Sequence, residues 1–195
     1  MGEERDEPTD AELIGRSLGG EGDAFVEVVR RHARPVSAYL VRRVGRGQAE
    51  DLLAETWVSA FASRGSYDRS YADARPWLFG IARNVLRAHW RRASREDLLG
   101  EVQGLANPWP EVDERIDAEA ANDLRQALSD LPVHEREVLL LVAWEQLSVA
   151  DAARSLGIPA GTARYRLHRA RRLLRQAILP DLHRHTNIET LQEAQ

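Results

Sequence analysis

Ser148-Val-Ala-Asp-Ala-Ala-Arg-Ser-Leu-Gly157-Ile-Pro-Ala-Gly-Thr-Ala-Arg-Tyr-Arg-Leu-His-Arg-Ala-Arg-Arg-Leu-Leu-Arg175 is the stretch whose reading decides the fold. It predicts a short helix, a tight turn and a longer arginine-rich helix. Ser148 is a capping residue, and Asp151 holds the capping-box position that Glu or Gln more often fills. Gly157 suits the left-handed conformation that ends a helix, and Pro159 suits the first turn of the next one. Two helices joined through a three- or four-residue turn containing Gly form a helix-turn-helix, whose second helix enters the major groove of DNA. Projected at about 100° per residue, Ala163, Leu167, Ala170, Leu174 and Ile178 form one narrow packing stripe. Gly161, Tyr165, His168, Arg169 and Arg172 lie opposite, with Arg164, Arg171 and Arg175 along a flank. Arginines alone are compatible with a solvated surface helix. Joined to a capped helix and a Gly turn, they favour a DNA-reading one.

Outward from this stretch, charge is the next signal. The chain has 195 residues, a mass of 22.0 kDa, a net charge of −4 and a pI of about 5.9. The charge is unevenly distributed. Residues 1–29 carry 9 acids against 2 Arg, and residues 30–95 carry 14 Arg against 5 acids. Residues 96–137 carry 12 acids against 3 Arg, and residues 138–195 carry 8 Arg against 5 acids. Two basic modules separated by an acidic connector point to a polyanion contacted at two places. All 27 basic residues are Arg, the better bidentate partner for phosphate and guanine. There is no cysteine, which excludes disulfides, zinc-thiolate sites and thiol redox chemistry. No apolar run reaches membrane-span length and the first 30 residues lack a signal-peptide pattern, so a cytoplasmic protein without membrane insertion is expected.

Residues 1–9 read as a disordered acidic tail running up to a capping box, Thr9-Asp-Ala-Glu12, which opens a short helix stopping at Gly19-Gly20. Asp23 to Val44 reads as helix, with Phe25, Val28, Val29, Val36, Leu40 and Val44 as its apolar residues and Pro35 expected to kink or split it. In the helix from Gln48 to Ser63, Leu53, Trp57, Ala60 and Phe61 are expected on the core side. Asp51, Glu55 and Ser59 are expected on the other side, bordered by Leu52 and Thr56. Periodicity alone leaves this acidic face either a solvated face or an interface. A polar loop, 64–72, carries two tyrosines. Asp73 then caps a helix that holds Pro76 in its first turn and runs to about Arg95. Trp77, Ile81, Val85 and Ala88 are expected to be buried there. Arg83, Asn84, Arg87 and Arg91 share the polar face, and Phe79, Leu86 and Trp90 form a second apolar edge. Aromatics interleaved with arginines suit a surface that stacks unpaired bases and grips their phosphates, although Trp77 and Phe79, each taken singly, read rather as core.

Gly100, Gly104 and Asn107-Pro-Trp-Pro110 break the pattern, which makes 96–115 a flexible acidic linker. Periodicity resumes at Ile116, Leu124 and Leu128. A further helix runs from Leu131-Pro132 through Trp144, with Val138, Leu139, Leu141 and Val142 as core. Residues 181–195, after Pro180, read as a tail whose His183/His185 pair is incidental as a metal site. The sequence holds no repeat, no metal-ligand set, no cofactor loop and no catalytic constellation. The expected fold is all-α: two small helical domains, 10–95 and 116–180, joined by the linker, the second containing the helix-turn-helix. A dimeric helix-turn-helix repressor with a ligand-sensing first domain is the rival reading. It is disfavoured because the first module is basic and aromatic rather than a hollow apolar pocket.

These segments resemble the extracytoplasmic-function group of bacterial sigma factors, the small two-domain members of the sigma-70 family, over about residues 10–179. Ala49-Glu-Asp-Leu-Leu-Ala-Glu-Thr-Trp57 is similar to the family's polymerase-docking helix, and the segment from Arg75 to Arg92 is similar to its promoter-melting segment. Leu131-Pro-Val-His-Glu-Arg-Glu-Val138 and Gly161 to Arg171 are similar to its helix-turn-helix domain. The resemblance implies a non-catalytic initiation subunit that needs no cofactor and is monomeric when free. Its implied partners are core RNA polymerase, through the clamp and flap, promoter DNA and an anti-sigma protein. Asp51, Leu52, Glu55 and Thr56 would lie in the polymerase-docking face. Arg83, Asn84, Arg87 and Arg91 would meet the −10 element, and the 64–72 loop would help capture a flipped base. Thr162, Arg164, Tyr165, Arg166, His168, Arg169 and Arg172 would meet the −35 element. Tyr165 stands where the family commonly has a small polar residue.

Overall fold

The computed structural model describes residues 7–97 and 118–192, with side chains within 7–94 and 122–178. Most of the acidic tail, and the linker from residue 98 onward, lie outside the described residues. The chain divides into two compact units, Met1–Pro110 and Glu111–Gln195. Among the described residues regular structure is helical throughout, and no helix is long and apolar enough to cross a membrane.

In the first unit, α1 (Asp10–Leu18) opens with the expected capping box. Thr9 Oγ1 accepts from the Glu12 N–H at 3.2 Å, and Glu12 Oε2 accepts from the Thr9 N–H at 2.7 Å. A turn at Gly19-Gly20, where Gly20 has φ 101°, leads into α2 (Gly22–Val44). Of the kink or split expected at Pro35, the split does not occur: α2 continues through it as one element. It packs against α1, α3 (Arg46–Ser63) and α4 (Arg75–Asp97). Being central, α2 buries a wide arc: Phe25, Val28, Val36, Leu40 and Val44 as expected, and also His32 and Tyr39.

The expected phase of α3 is corrected. Its buried line is Ala49, Leu52, Thr56 and Ala60, with Leu52 4% and Thr56 0% exposed, whereas Leu53 and Trp57 are half-buried and Phe61 is exposed. Threonine is tolerated in this core because its Oγ1 donates to the Leu52 carbonyl at 2.7 Å, which satisfies its only donor within the helix. In α4 the core is Leu78, Phe79, Ala82, Val85 and Leu86, while Trp77, Ile81 and Ala88 stay half-buried. The helix is wedged between α2 and α3, so the supposed second apolar edge, Phe79 and Leu86, is part of its main packing face.

The second unit contains α5 (Ala118–Ser129), α6 (Val133–Ala143), α7 (Val149–Leu156) and α8 (Ala160–Gln192). α8 packs on α5, α6 and α7. Val138, Leu139 and Leu141 of α6 are core as expected. Leu140 is buried too, while Val142 is only half-buried. The helical backbone of α8 continues through Pro180 to Gln192, where a tail separate from the helix was expected.

Candidate nucleic-acid interface

The α7–α8 pair forms as its caps dictate. Ser148 Oγ accepts from the Asp151 N–H at 3.1 Å and donates to Asp151 Oδ2 at 2.6 Å. Burial alone would raise the Asp151 carboxyl, but hydrogen bonds from Ser148 and Arg154 and the Arg154 charge outweigh it, leaving its pKa below the usual aspartate value. Gly157 ends α7 at φ 64°, ψ 36°, a left-handed conformation that a Cβ would strain. Its N–H and that of Ile158 donate to the carbonyls of Arg154 and Ala153. α8 begins two residues after Ile158, so Pro159 stands immediately before the helix rather than inside its first turn.

The stripe read from sequence on α8 matches its burial. Ala163, Leu167 and Ala170 are buried, and Leu174 and Ile178 are half-buried. Two alanines in that stripe let α8 approach its partners closely. Opposite them, Arg164, Tyr165, His168 and Arg172 are exposed, Tyr165 by 65%. Thr162, Arg166 and Arg169 are half-buried at the margins. Arg169 is the exception on this face: its Nη1 donates to Glu135 Oε1 of α6 at 3.1 Å. A groove beside α8 is lined by Val149 of α7 and by Arg164, His168, Arg171, Arg172 and Arg175. No acidic residue occurs between Asp151 and Asp181, so residues 160–180 of α8 carry their arginines with no acid among them in sequence. Such a surface binds phosphate and places side chains that can reach base edges.

On α4, Asn84, Arg87 and Arg91 are exposed together and Arg83 is half-buried beside them. The structure decides between the two readings of the aromatics for Phe79, which is buried against Tyr39 with ring centroids 5.3 Å apart. Trp77 is half-buried and packs on Tyr67 at 5.2 Å. In the 64–72 loop, Tyr67 is itself buried and its hydroxyl donates to the Tyr71 carbonyl at 2.6 Å, so the loop is held by its own aromatic.

The docking set divides. Asp51 is exposed and Glu55 half-buried, but Leu52 and Thr56 are interior and offer no surface to a partner. Glu55 is joined to Arg92 of α4 at 3.1 Å. The outward face of α3 instead adds Ala54, Val58 and Phe61, and the Arg64 guanidinium lies over the Phe61 ring at 3.8 Å. Reading Leu53 and Phe61 as core hid this face.

Sequence reasoning also missed a buried junction. Asp10 Oδ2 accepts from His32 Nε2 at 2.7 Å and from the Ala74 N–H at 2.8 Å, and the Asp10 N–H donates to the Ala72 carbonyl at 3.1 Å. Three segments distant in sequence meet there, at the entrance to α4. Burial alone would raise the Asp10 carboxyl. The hydrogen bonds from His32 and Ala74, with the charges of His32 and Arg31, outweigh that and hold it below the usual aspartate range.

The comparisons with known proteins agree with this geometry. The family models Sigma-70 region 2 and Sigma-70, region 4 match residues 28–96 and 121–174. The chain is 34% identical over 169 residues to the ECF RNA polymerase sigma factor SigM of Mycobacterium tuberculosis, covering 86% of this chain and 83% of that protein. It is 34% identical over 164 residues to the RNA polymerase sigma factor CarQ of Myxococcus xanthus, covering 84% and 94%. Among solved structures, CnrH in complex with the cytosolic domain of CnrY is similar at 26% identity and a TM-score of 0.61, covering 88% of this chain and 97% of that one. The chain belongs to the extracytoplasmic-function group of the sigma-70 family, the sigma factors that direct promoter-specific initiation of transcription.

Proposed function

We propose that this sigma factor divides its promoter reading between two surfaces, acting as a non-catalytic subunit of RNA polymerase in the cytoplasm. The exposed face of α8, with Arg164, Tyr165, His168 and Arg172, reads the −35 element, flanked by Thr162, Arg166 and Arg169. Arg83, Asn84, Arg87 and Arg91 of α4 meet the −10 element as it opens. Asp51 and Glu55 of α3 face the polymerase clamp, joined by the exposed Val58 and Phe61; Leu52 and Thr56 support that face from inside. An anti-sigma protein is expected among its partners; the similar CnrH is solved in complex with another protein, the cytosolic domain of CnrY. The observation that carries the reading is the exposed arginine-rich face of residues 160–180 of α8, a stretch without an acid, on a capped helix-turn-helix.

Arginine–phosphate contacts supply salt-dependent affinity, and a few base contacts supply sequence choice. Extruding a base costs a few kcal/mol, and stacking it on an aromatic returns about 1–3 kcal/mol. The free protein therefore binds promoter DNA weakly and does not melt it; the polymerase contributes the remainder. Transcription in vitro with purified core polymerase tests this. Initiation at one promoter, dependent on this chain and lost in R164A/R172A, is expected. Initiation unaffected by that pair of substitutions refutes the assignment of α8. The dimeric-repressor reading predicts instead that the chain represses a pre-formed holoenzyme.

A further inference from the structure

We propose that Glu135 is a positioning residue for promoter reading: it holds the Arg169 guanidinium in one orientation and withdraws its charge from general phosphate binding. The inference rests on α8 being the DNA-reading helix. The pair is asymmetric, since the Glu135 side chain is 8% exposed and that of Arg169 43%. A carboxylate so deeply placed needs a cationic partner, because desolvation penalises it alone. Glu135 stands in the first turn of α6, where an anion is also favoured by the helix N-terminus. It is therefore anchored in the packed interior of the domain, and Arg169 reaches it from the interface.

The consequence differs from that of an ordinary surface ion pair. The contact uses Nη1, leaving the other N–H donors of the guanidinium for an outside partner. A guanidinium is a planar fork, so fixing one nitrogen restricts where the remaining donors point. Arg164, Arg171, Arg172 and Arg175 have no ion pair among the described residues, so no carboxylate fixes the direction of their guanidinium groups. Arg169 is thus the arginine of this face with a preset geometry and a largely cancelled charge. Those are the properties of a base reader, which gains from preorganisation, rather than of a phosphate clamp.

The test uses holoenzyme reconstituted from core polymerase and the full chain, as wild type, E135Q, R169Q, E135Q/R169Q and R169K. Binding to promoter and non-promoter duplexes is titrated over a range of salt. E135Q keeps the shape and an acceptor but frees the Arg169 charge. It is expected to steepen the salt dependence on non-promoter DNA by about one phosphate contact, a slope change of about 0.9. It is also expected to lower promoter discrimination about tenfold, the scale of one well-placed base contact. R169K keeps a cationic partner for Glu135 but loses the fork, so discrimination falls while the slope holds. In the R169Q background E135Q has no further effect on either readout. Unchanged slope and discrimination in E135Q, wild-type discrimination in R169K, or an E135Q effect that persists at full size without Arg169 overturns the assignment. R169Q binding and discriminating like wild type also overturns it, and removes Arg169 from the interface. In that case R164A/R172A still decides separately whether α8 reads DNA.

Discussion

Removing the Asp10 carboxylate is predicted to be among the most damaging single changes in the first unit, although the residue lies far in sequence from the polar face of α4. Asp10→Ala leaves the His32 Nε2–H and the Ala74 N–H inside the protein without acceptors. An orphaned buried donor costs about 1–3 kcal/mol, so the pair costs about 2–6 kcal/mol. For a domain of this size about 4–8 °C accompanies each kcal/mol, which places the fall in melting temperature at about 10 °C or more. Calorimetry of the full chain reads the transition of the first unit. Amide exchange at Ala74 reads the local consequence, with protection falling before global unfolding. The double variant D10A/H32L removes one orphan together with its lost partner and recovers about half of the loss. A D10A transition within about 3 °C of wild type, or a double variant in which the two losses simply add, refutes the reasoning.

The same carboxylate makes stability depend on acid. Its folded pKa is depressed, so its contribution is fully present above the unfolded aspartate value near pH 4 and is lost as pH falls through the folded value. Urea titrations between pH 6 and pH 2 should show a steeper loss for wild type than for D10A. In the helix-turn-helix, Ser148→Ala removes a cap and costs about 1 kcal/mol. Gly157→Ala forces a Cβ into the left-handed region and costs about 1–2 kcal/mol. Both lower the melting point of the second unit and leave that of the first unchanged. On α3, Asp51→Arg should weaken core-polymerase binding tenfold or more in an anisotropy titration without moving the melting point, because Asp51 is exposed. Leu52→Ala should cost about 2–5 kcal/mol by cavity formation and impair binding only in proportion to unfolding.

The second unit was the more legible half because its signals are local. Ser148 and Gly157 act within their own turns, and the α8 stripe of Ala163, Leu167 and Ala170 is apolar while the exposed side is rich in arginine. A helix with one packing side declares that side through its composition. Pro35 and Pro180 misled for the opposite reason. A proline removes one donor and crowds one carbonyl, but in α2 the buried residues on both sides of position 35 hold the helix together across the gap. The pairs Asp10–His32 and Glu135–Arg169 left no trace in sequence. They join residues 22 and 34 positions apart, and no spacing rule relates a carboxylate to a partner on another helix.

The phase error on α3 has a physical cause that bears on function. Helices α3 and α4 each pack on more than one neighbour, so their buried arcs are wide and small residues sit at the tightest approach. Ala49, Thr56 and Ala60 are buried there because they are small, and Thr56 hides its hydroxyl in its own helix. The bulky Trp57 and Phe61 do not fit at that approach and turn outward or to the margin, where Phe61 meets Phe25 edge-on at 5.3 Å and carries Arg64 on its face. A reading that sends the largest apolar side chains inward therefore inverts the helix. It also strips the outer surface of the apolar groups that would make a carboxylate-bearing face adhesive. Asp51 surrounded only by polar residues would be a solvated charge, worth little to any partner. Asp51 on the same outward surface as Val58 and Phe61 has apolar area to bury alongside its charge, and that combination separates an interface from a solvated face.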